Sequence, residues 1–174
     1  MCVIGIDPGI GSIGYAVISK KPSICLLASG TIKTAARAPL AERLFDLSEK
    51  LSAVIENYNI DAAAIEKLFF TKNVKTAIDV SHARGVIMLE FARRQIEIFE
   101  YTPLQIKMAL TGYGQAEKRQ VKIMVMRMLG MKKPLTPDDT ADAAACALCH
   151  SGASSVLIKL QKLHGSTAYP AIKN

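Results

Sequence analysis

Cys2-Val3-Ile4-Gly5-Ile6 is an apolar run of strand length that stops abruptly at Asp7-Pro8-Gly9. The run reads as a buried strand, and Pro8-Gly9 turns the chain away behind it. An acid pinned at the end of a buried strand costs solvation free energy unless a cation or a donor meets it. Asp7 is therefore a candidate ligand or catalyst, and the rest of the chain has to supply its partners.

Residues 14–19 and 24–33 read as the second and third strands, with short connections that suit antiparallel hairpins. From 39 to 58 the period changes: Leu40, Leu44, Leu47, Leu51, Val54, Ile55 and Tyr58 fall at helical spacing. Residues 61–66 form a short buried strand ending in Glu66, followed by a long helix over 73–94 and an alternating strand over 96–101. Thr102-Pro103 opens a helix that Gly112 and Gly114 break. Residues 117–129 make a basic amphipathic helix with Val121, Val125, Met128 and Leu129 inward, and Thr136-Pro137-Asp138-Asp139 opens an alanine-rich helix. Three early strands followed by alternating helices and strands predict an α/β fold, a central mixed five-stranded sheet with helices on both faces. The expected organisation is one domain over 1–156 and a weakly patterned tail over 157–174, of the kind that is often mobile.

Half of the residues are hydrophobic and 21% are charged, the profile of a folded globular chain. No apolar run approaches the ~18 residues of a membrane span, and no basic segment precedes the first strand, so a cytoplasmic protein is expected. Cys2, Cys25, Cys146 and Cys149 sit in apolar or small-residue surroundings that suit buried thiols. Cys146-Ala147-Leu148-Cys149-His150 has the look of half a zinc site, but no second cysteine pair completes it. The net charge of +7 is placed unevenly: residues 1–100 carry 12 basic and 11 acidic groups, residues 101–174 carry 10 and 4. Lys107, Lys118, Arg119, Lys122, Arg127, Lys132 and Lys133 crowd one stretch, the footprint expected of a phosphate-backbone contact or of a solvated helix face.

Glu66 ends a strand as Asp7 does. If the two strands are adjacent and parallel, both carboxylates emerge at the carboxyl edge, where open α/β sheets place their sites. Asp139 and Asp142, three apart, share a helix face. Asp138, in the first turn, reads as an acid meeting the helix dipole. Asp142 lies among small residues suited to close packing, where an acid needs a cation or a donor. Clustered acids raise one another's pKa and a divalent cation reverses that. Two such ions roughly 3.5–4 Å apart suit phosphodiester hydrolysis. The scattered His82, His150 and His164 do not suggest a zinc enzyme. Gly9-Ile10-Gly11-Ser12-Ile13-Gly14 leads into a strand and lacks the ending of a phosphate-binding P-loop.

Gly5-Ile6-Asp7-Pro8-Gly9, Gly14-Tyr15, Gly30-Thr31-Ile32, Ala64-Ile65-Glu66 with Phe69 and Lys72-Asn73, Ala83-Arg84-Gly85-Val86, Ala116-Glu117-Lys118 and Asp139-Thr140-Ala141-Asp142-Ala143 together resemble the RuvC family of Holliday-junction resolvases. The resemblance runs over residues 2–150 with the motifs in order. It implies an RNase H-like fold, a homodimer, and Mg2+-dependent paired nicking of four-way junction DNA, with two ions per site and Mn2+ able to substitute. It implies Asp7, Glu66, Asp139 and Asp142 as catalytic and metal-binding acids, with Asp138 an extra acid beside the matched pair. Lys107, Lys118, Arg119 and Lys122 would hold phosphates, and Phe69, in the loop after Glu66, would stack on an unpaired base or else pack as a core residue under that loop. Cooperation with the RuvA–RuvB branch-migration complex is implied as well. The chain departs from common members at Ile10-Gly11 and Phe70. The long helix over 73–94 suits either a dimer interface or a cover for its own sheet. The alternatives are an RNase H-like nuclease acting on RNA–DNA hybrid or branched DNA, and a junction-binding module without catalysis.

Overall fold

Two-residue alternation sorts the first strand between two cores. In β1 (Cys2–Asp7), Ile4 and Ile6 face one layer of apolar side chains, and Val3 faces the other. The computed structural model describes residues 1–68, 74–152 and 168–169. β1 pairs antiparallel with β2 (Ser12–Ser19), which pairs antiparallel with β3 (Cys25–Lys33). On its other side β1 pairs in parallel with β4 (Ala62–Glu66), and β4 in parallel with β5 (Glu97–Tyr101). The five expected strands are all present in the mixed sheet, and a two-residue strand, β6 (Ala168–Tyr169), adds antiparallel to β5. β2 begins at Ser12, earlier than the apolar pattern suggests, because Gly14 pairs with Asp7 and Ser12 with Lys33.

α1 (Leu40–Glu56) and α2 (Val74–Arg93) cover one face of the sheet. Leu47, Leu51 and Ile55 from α1 join Ala83, Ile87 and Phe91 from α2 over Ile4, Ile6, Ile65 and Ile98. Of the two roles open to α2, this inward face fills the sheet-covering one, while Ile78, Gly85 and Leu89 are exposed. Ser48 donates to buried Glu90 at 2.6 Å, tying α1 to α2, and Arg94 just past the end of α2 pairs with the same carboxylate at 2.6 Å.

The opposite face carries α3 (Pro103–Thr111), α4 (Lys118–Met128) and α5 (Asp138–Gly152). Thr102 caps α3, accepting from the Gln105 amide at 3.1 Å, and Gly112 ends it at a φ of 73°. In α5 every residue from Ala143 to Ser151 is buried, including Cys146, Cys149 and His150. His150 Nδ1 lies 2.8 Å from the Tyr101 hydroxyl, so these side chains form part of the core. α5 approaches the sheet over two glycines. A Cβ on Gly5 would stand 2.0 Å from the Ala143 carbonyl oxygen, and one on Gly14 2.0 Å from that of Asp139. Only the absence of those side chains lets the helix backbone touch β1 and β2. Among the described residues no helix is long and apolar enough to cross a membrane.

Candidate active site

The parity that places Val3 against α5 also places Asp7 there, four residues on. In β4, Ala62 and Ala64 face α5, so Glu66 does too. Ile6 pairs with Ile65 in the parallel ladder, which brings the two strand-end acids side by side at the carboxyl edge. Gly14, opposite Asp7 in the antiparallel ladder, then lets the start of α5 down onto the same edge. Asp142 thereby joins Asp7 and Glu66 in lining a cleft of about 290 Å³, together with Pro103, Ile106 and Lys107 of α3 and Lys118 and Val121 of α4.

The acids act strongly on one another. The Asp7 carboxyl is pushed up to about 7, by burial first and then by the charges of Glu66, Asp142 and Asp139, with Lys118 opposing. Glu66 also rises to about 7, through burial and Asp142, against Lys118 and Lys107. Asp139 accepts a hydrogen bond from Ser12 Oγ at 2.6 Å, which fixes its carboxylate against β2. Asp138 is exposed and points into a different set of contacts. Lys122 Nζ lies 2.5 Å from it and Lys118 Nζ 3.5 Å, and the Lys122 hydrogen bond holds its carboxyl below the usual range. The first-turn acid expected to serve the helix dipole thus also binds two lysines, while Asp139 is the one whose charge reaches Asp7.

Lys118 and Arg119 occupy the first turn of α4, where the helix dipole disfavours cations. The Gln120 side chain accepts the Glu117 N–H at 2.8 Å and starts the helix there nonetheless. Lys118 Nζ lies 2.7 Å from Asp142 Oδ2. Partial burial lowers its pKa, but Asp142 and Asp138 together outweigh that and raise it. Lys118 thus stands against the helix dipole and points to an acid of the cleft.

Of the expected site residues, Asp7, Glu66, Asp142, Lys107 and Lys118 line one cleft. Asp139 adjoins it through Asp7, Lys122 is held by Asp138, and Arg119 is exposed beside Lys118. Phe69 lies outside the described residues. Ser12 escaped the sequence reading. Its only signal was its place in the turn after Asp7, and its partner is 127 residues away.

The donor set suits a hard divalent cation: it is made of carboxylate oxygens, and the Asp7 and Glu66 carboxyls are raised to about 7 by burial and by neighbouring acids. Among the described residues no three acid, histidine or cysteine side chains close round a common point, and the Lys118 ammonium stands on Asp142.

A family model described as crossover junction endodeoxyribonuclease RuvC matches residues 3–150. A curated relative of that name from Petrotoga mobilis is 50% identical over 151 residues, covering 86% of this chain and 93% of the relative. One from Clostridioides difficile is 43% identical over 166 residues, covering 95% and 98%. The solved Thermus thermophilus RuvC superposes with a TM-score of 0.82 at 32% identity, covering 98% of this chain and 99% of that one. The same protein in complex with a Holliday junction substrate gives 0.81 at 30% identity, with the same coverage. Fold and cleft together define an RNase H-like nuclease. Within that class, the chain belongs to the RuvC family of crossover junction endodeoxyribonucleases.

Proposed function

We propose that this chain resolves four-way (Holliday) DNA junctions by paired, symmetric phosphodiester hydrolysis, serving recombination and repair in the cytoplasm. One observation carries the reading: acids from β1, β4 and α5 line one cleft with Lys107 and Lys118, and Asp7 and Glu66 are raised to about 7. Such a cluster weakens DNA binding on its own account and makes sense as a ligand set for divalent metal. We assign Asp7, Glu66, Asp139 and Asp142 as the metal-binding catalytic acids and Mg2+ as the ion, two per site. Bound Mg2+ supplies the positive charge that activates a water and stabilises the leaving oxygen.

The chain's own residues do the rest. Asp7 is central, since Glu66, Asp142 and Asp139 all act on it. Ser12 keeps Asp139 turned toward that group. Lys107 and Lys118 meet the scissile phosphate within the cleft, and Arg119 and Lys122 hold the backbone alongside. Two-fold cutting needs two copies of a single-site chain, which a C2 homodimer supplies. The exposed Ile78, Gly85 and Leu89 of α2 are the surface assigned to it. Cooperation with the RuvA–RuvB complex follows from family membership.

The test is cleavage by the purified protein of a mobile four-way junction, a linear duplex and an RNA–DNA hybrid, with Mg2+ and with chelator. Paired nicks in the junction alone, and only with metal, are expected. Preferential cutting of the hybrid, or junction binding without any cleavage, would overturn the reading.

A further inference from the structure

The α3–α4 connection exposes an aromatic residue beside the cleft that has no part in the roles assigned so far. Tyr113 is 59% exposed and stands between Gly112 and Gly114. Its backbone is held while much of its surface is open to solvent. The Tyr113 N–H donates to Thr111 Oγ1 at 3.1 Å, and its carbonyl accepts the Ala116 N–H at 3.1 Å. Thr111 in turn donates to the carbonyl of cleft-lining Lys107 at 2.8 Å. Leu104 Cγ lies 3.1 Å from where a Cβ on Gly114 would stand, so the loop folds back onto the first turn of α3. That turn contains Pro103, which lines the cleft. Leu104 and Met108, at 59% and 49% exposure, extend the apolar surface along α3.

An exposed tyrosine in a loop that folds back onto α3, where Leu104 and Met108 are exposed too, with Lys107, Lys118 and Arg119 close in sequence on either side, has the makeup of a nucleic-acid platform. The cations take the backbone and the ring takes a base face. A protein partner would have to dock among these lysines, which favours a polyanion as the occupant. We infer that Tyr113 stacks on a nucleobase of the bound DNA just outside the cleft, supported by Leu104 and Met108. The inference rests on the proposed DNA-cutting role and adds a specific base contact to it.

The chain has no tryptophan. Tyr113→Trp in the Asp7→Asn background therefore places a single indole at this position while the junction stays whole. Saturating four-way junction is expected to quench its emission, and unchanged emission at saturation overturns the inference. Emission that changes with protein concentration alone, without DNA, assigns the ring to a protein contact and overturns it too. In the active enzyme, Tyr113→Ala is expected to raise KM about five-fold or more at unaltered thermal stability, with Tyr113→Phe restoring it. An unchanged KM counts against the stacking role. Wild-type protein that binds but never cuts would sink the nuclease reading alone, since the emission test scores binding.

Discussion

Lys118 Nζ sits 2.7 Å from Asp142 Oδ2 and 3.5 Å from Asp138 Oδ2, so one ammonium links an acid inside the cleft to an exposed acid at the start of the same helix. Its place in the first turn of α4 runs against the helix dipole, and its ion pairs, made by a half-exposed side chain, add little to folding. Removing it should therefore cost chemistry more than folding. Lys118→Ala is expected to slow junction cleavage roughly 10²-fold under single-turnover conditions, with a smaller loss of binding. Near-wild-type cleavage would remove Lys118 from the reaction.

The raised acids make stability depend on pH with a definite sign. Asp7 titrates near 7 in the folded chain against an ordinary 3.8, so between those values the native state holds the extra proton. Stability from this group is present at low pH and is lost as pH rises toward 7. Asp7→Asn carries no such cost. Without divalent metal at pH 8 it should melt higher than wild type by roughly 3 °C or more, the gap closing toward pH 4. Glu66→Gln should behave alike, because its shift has the same direction and the same leading cause. Lower melting of both variants at pH 8 would contradict the assignment.

Metal should reverse that penalty. Mg2+ at saturating concentration is expected to raise the melting temperature of the wild type and to leave Asp7→Asn nearly unmoved, by mass action on a site that the variant lacks. Junction cleavage by Asp7→Asn should fall below detection while binding persists. Equal Mg2+ stabilisation of both proteins would place the ion elsewhere.

Gly14 should matter although it presents no side chain to substrate. Gly14→Ala puts a methyl 2.0 Å from the Asp139 carbonyl oxygen, a backbone atom that cannot swing aside. A loss of roughly 1–3 kcal/mol in stability is expected, together with slower cleavage as Asp139 is displaced. Denaturant unfolding and cleavage rates measured on one preparation test both halves.

Neutralising Lys107, Arg119 or Lys122 should weaken junction binding and make the slope of log K against log salt shallower by about 0.9 for each phosphate that the variant leaves without its cation. An unaltered slope would return that residue to the solvated surface.

Asp7 and Glu66 were readable as partners because a strand shows its end in sequence, and alternation fixes which face the last residue takes. Asp142 was legible through the small residues around it, which meant close packing before any neighbour was known. The early start of β2 was not legible, because Ser12 and Gly14 are poor strand formers held there by cross-strand pairing with Lys33 and Asp7. The Ser12–Asp139 hydrogen bond and the Lys122–Asp138 pair were invisible for a different reason: each joins separate elements whose approach is set by tertiary packing. Tyr113, between the two glycines that break α3, carries no sequence signal of its own, and only its exposure and fixed backbone give it a role.

α5 is also the beam on which one whole layer of the molecule rests, its residues from Ala143 to Ser151 all buried between sheet and helices. Two of the four acids, Asp139 and Asp142, therefore stand at the head of the helix whose buried body is expected to open last in native-state hydrogen exchange. Substitutions along its length should register first as missing protein in the cell, and only in the survivors as missing turnover.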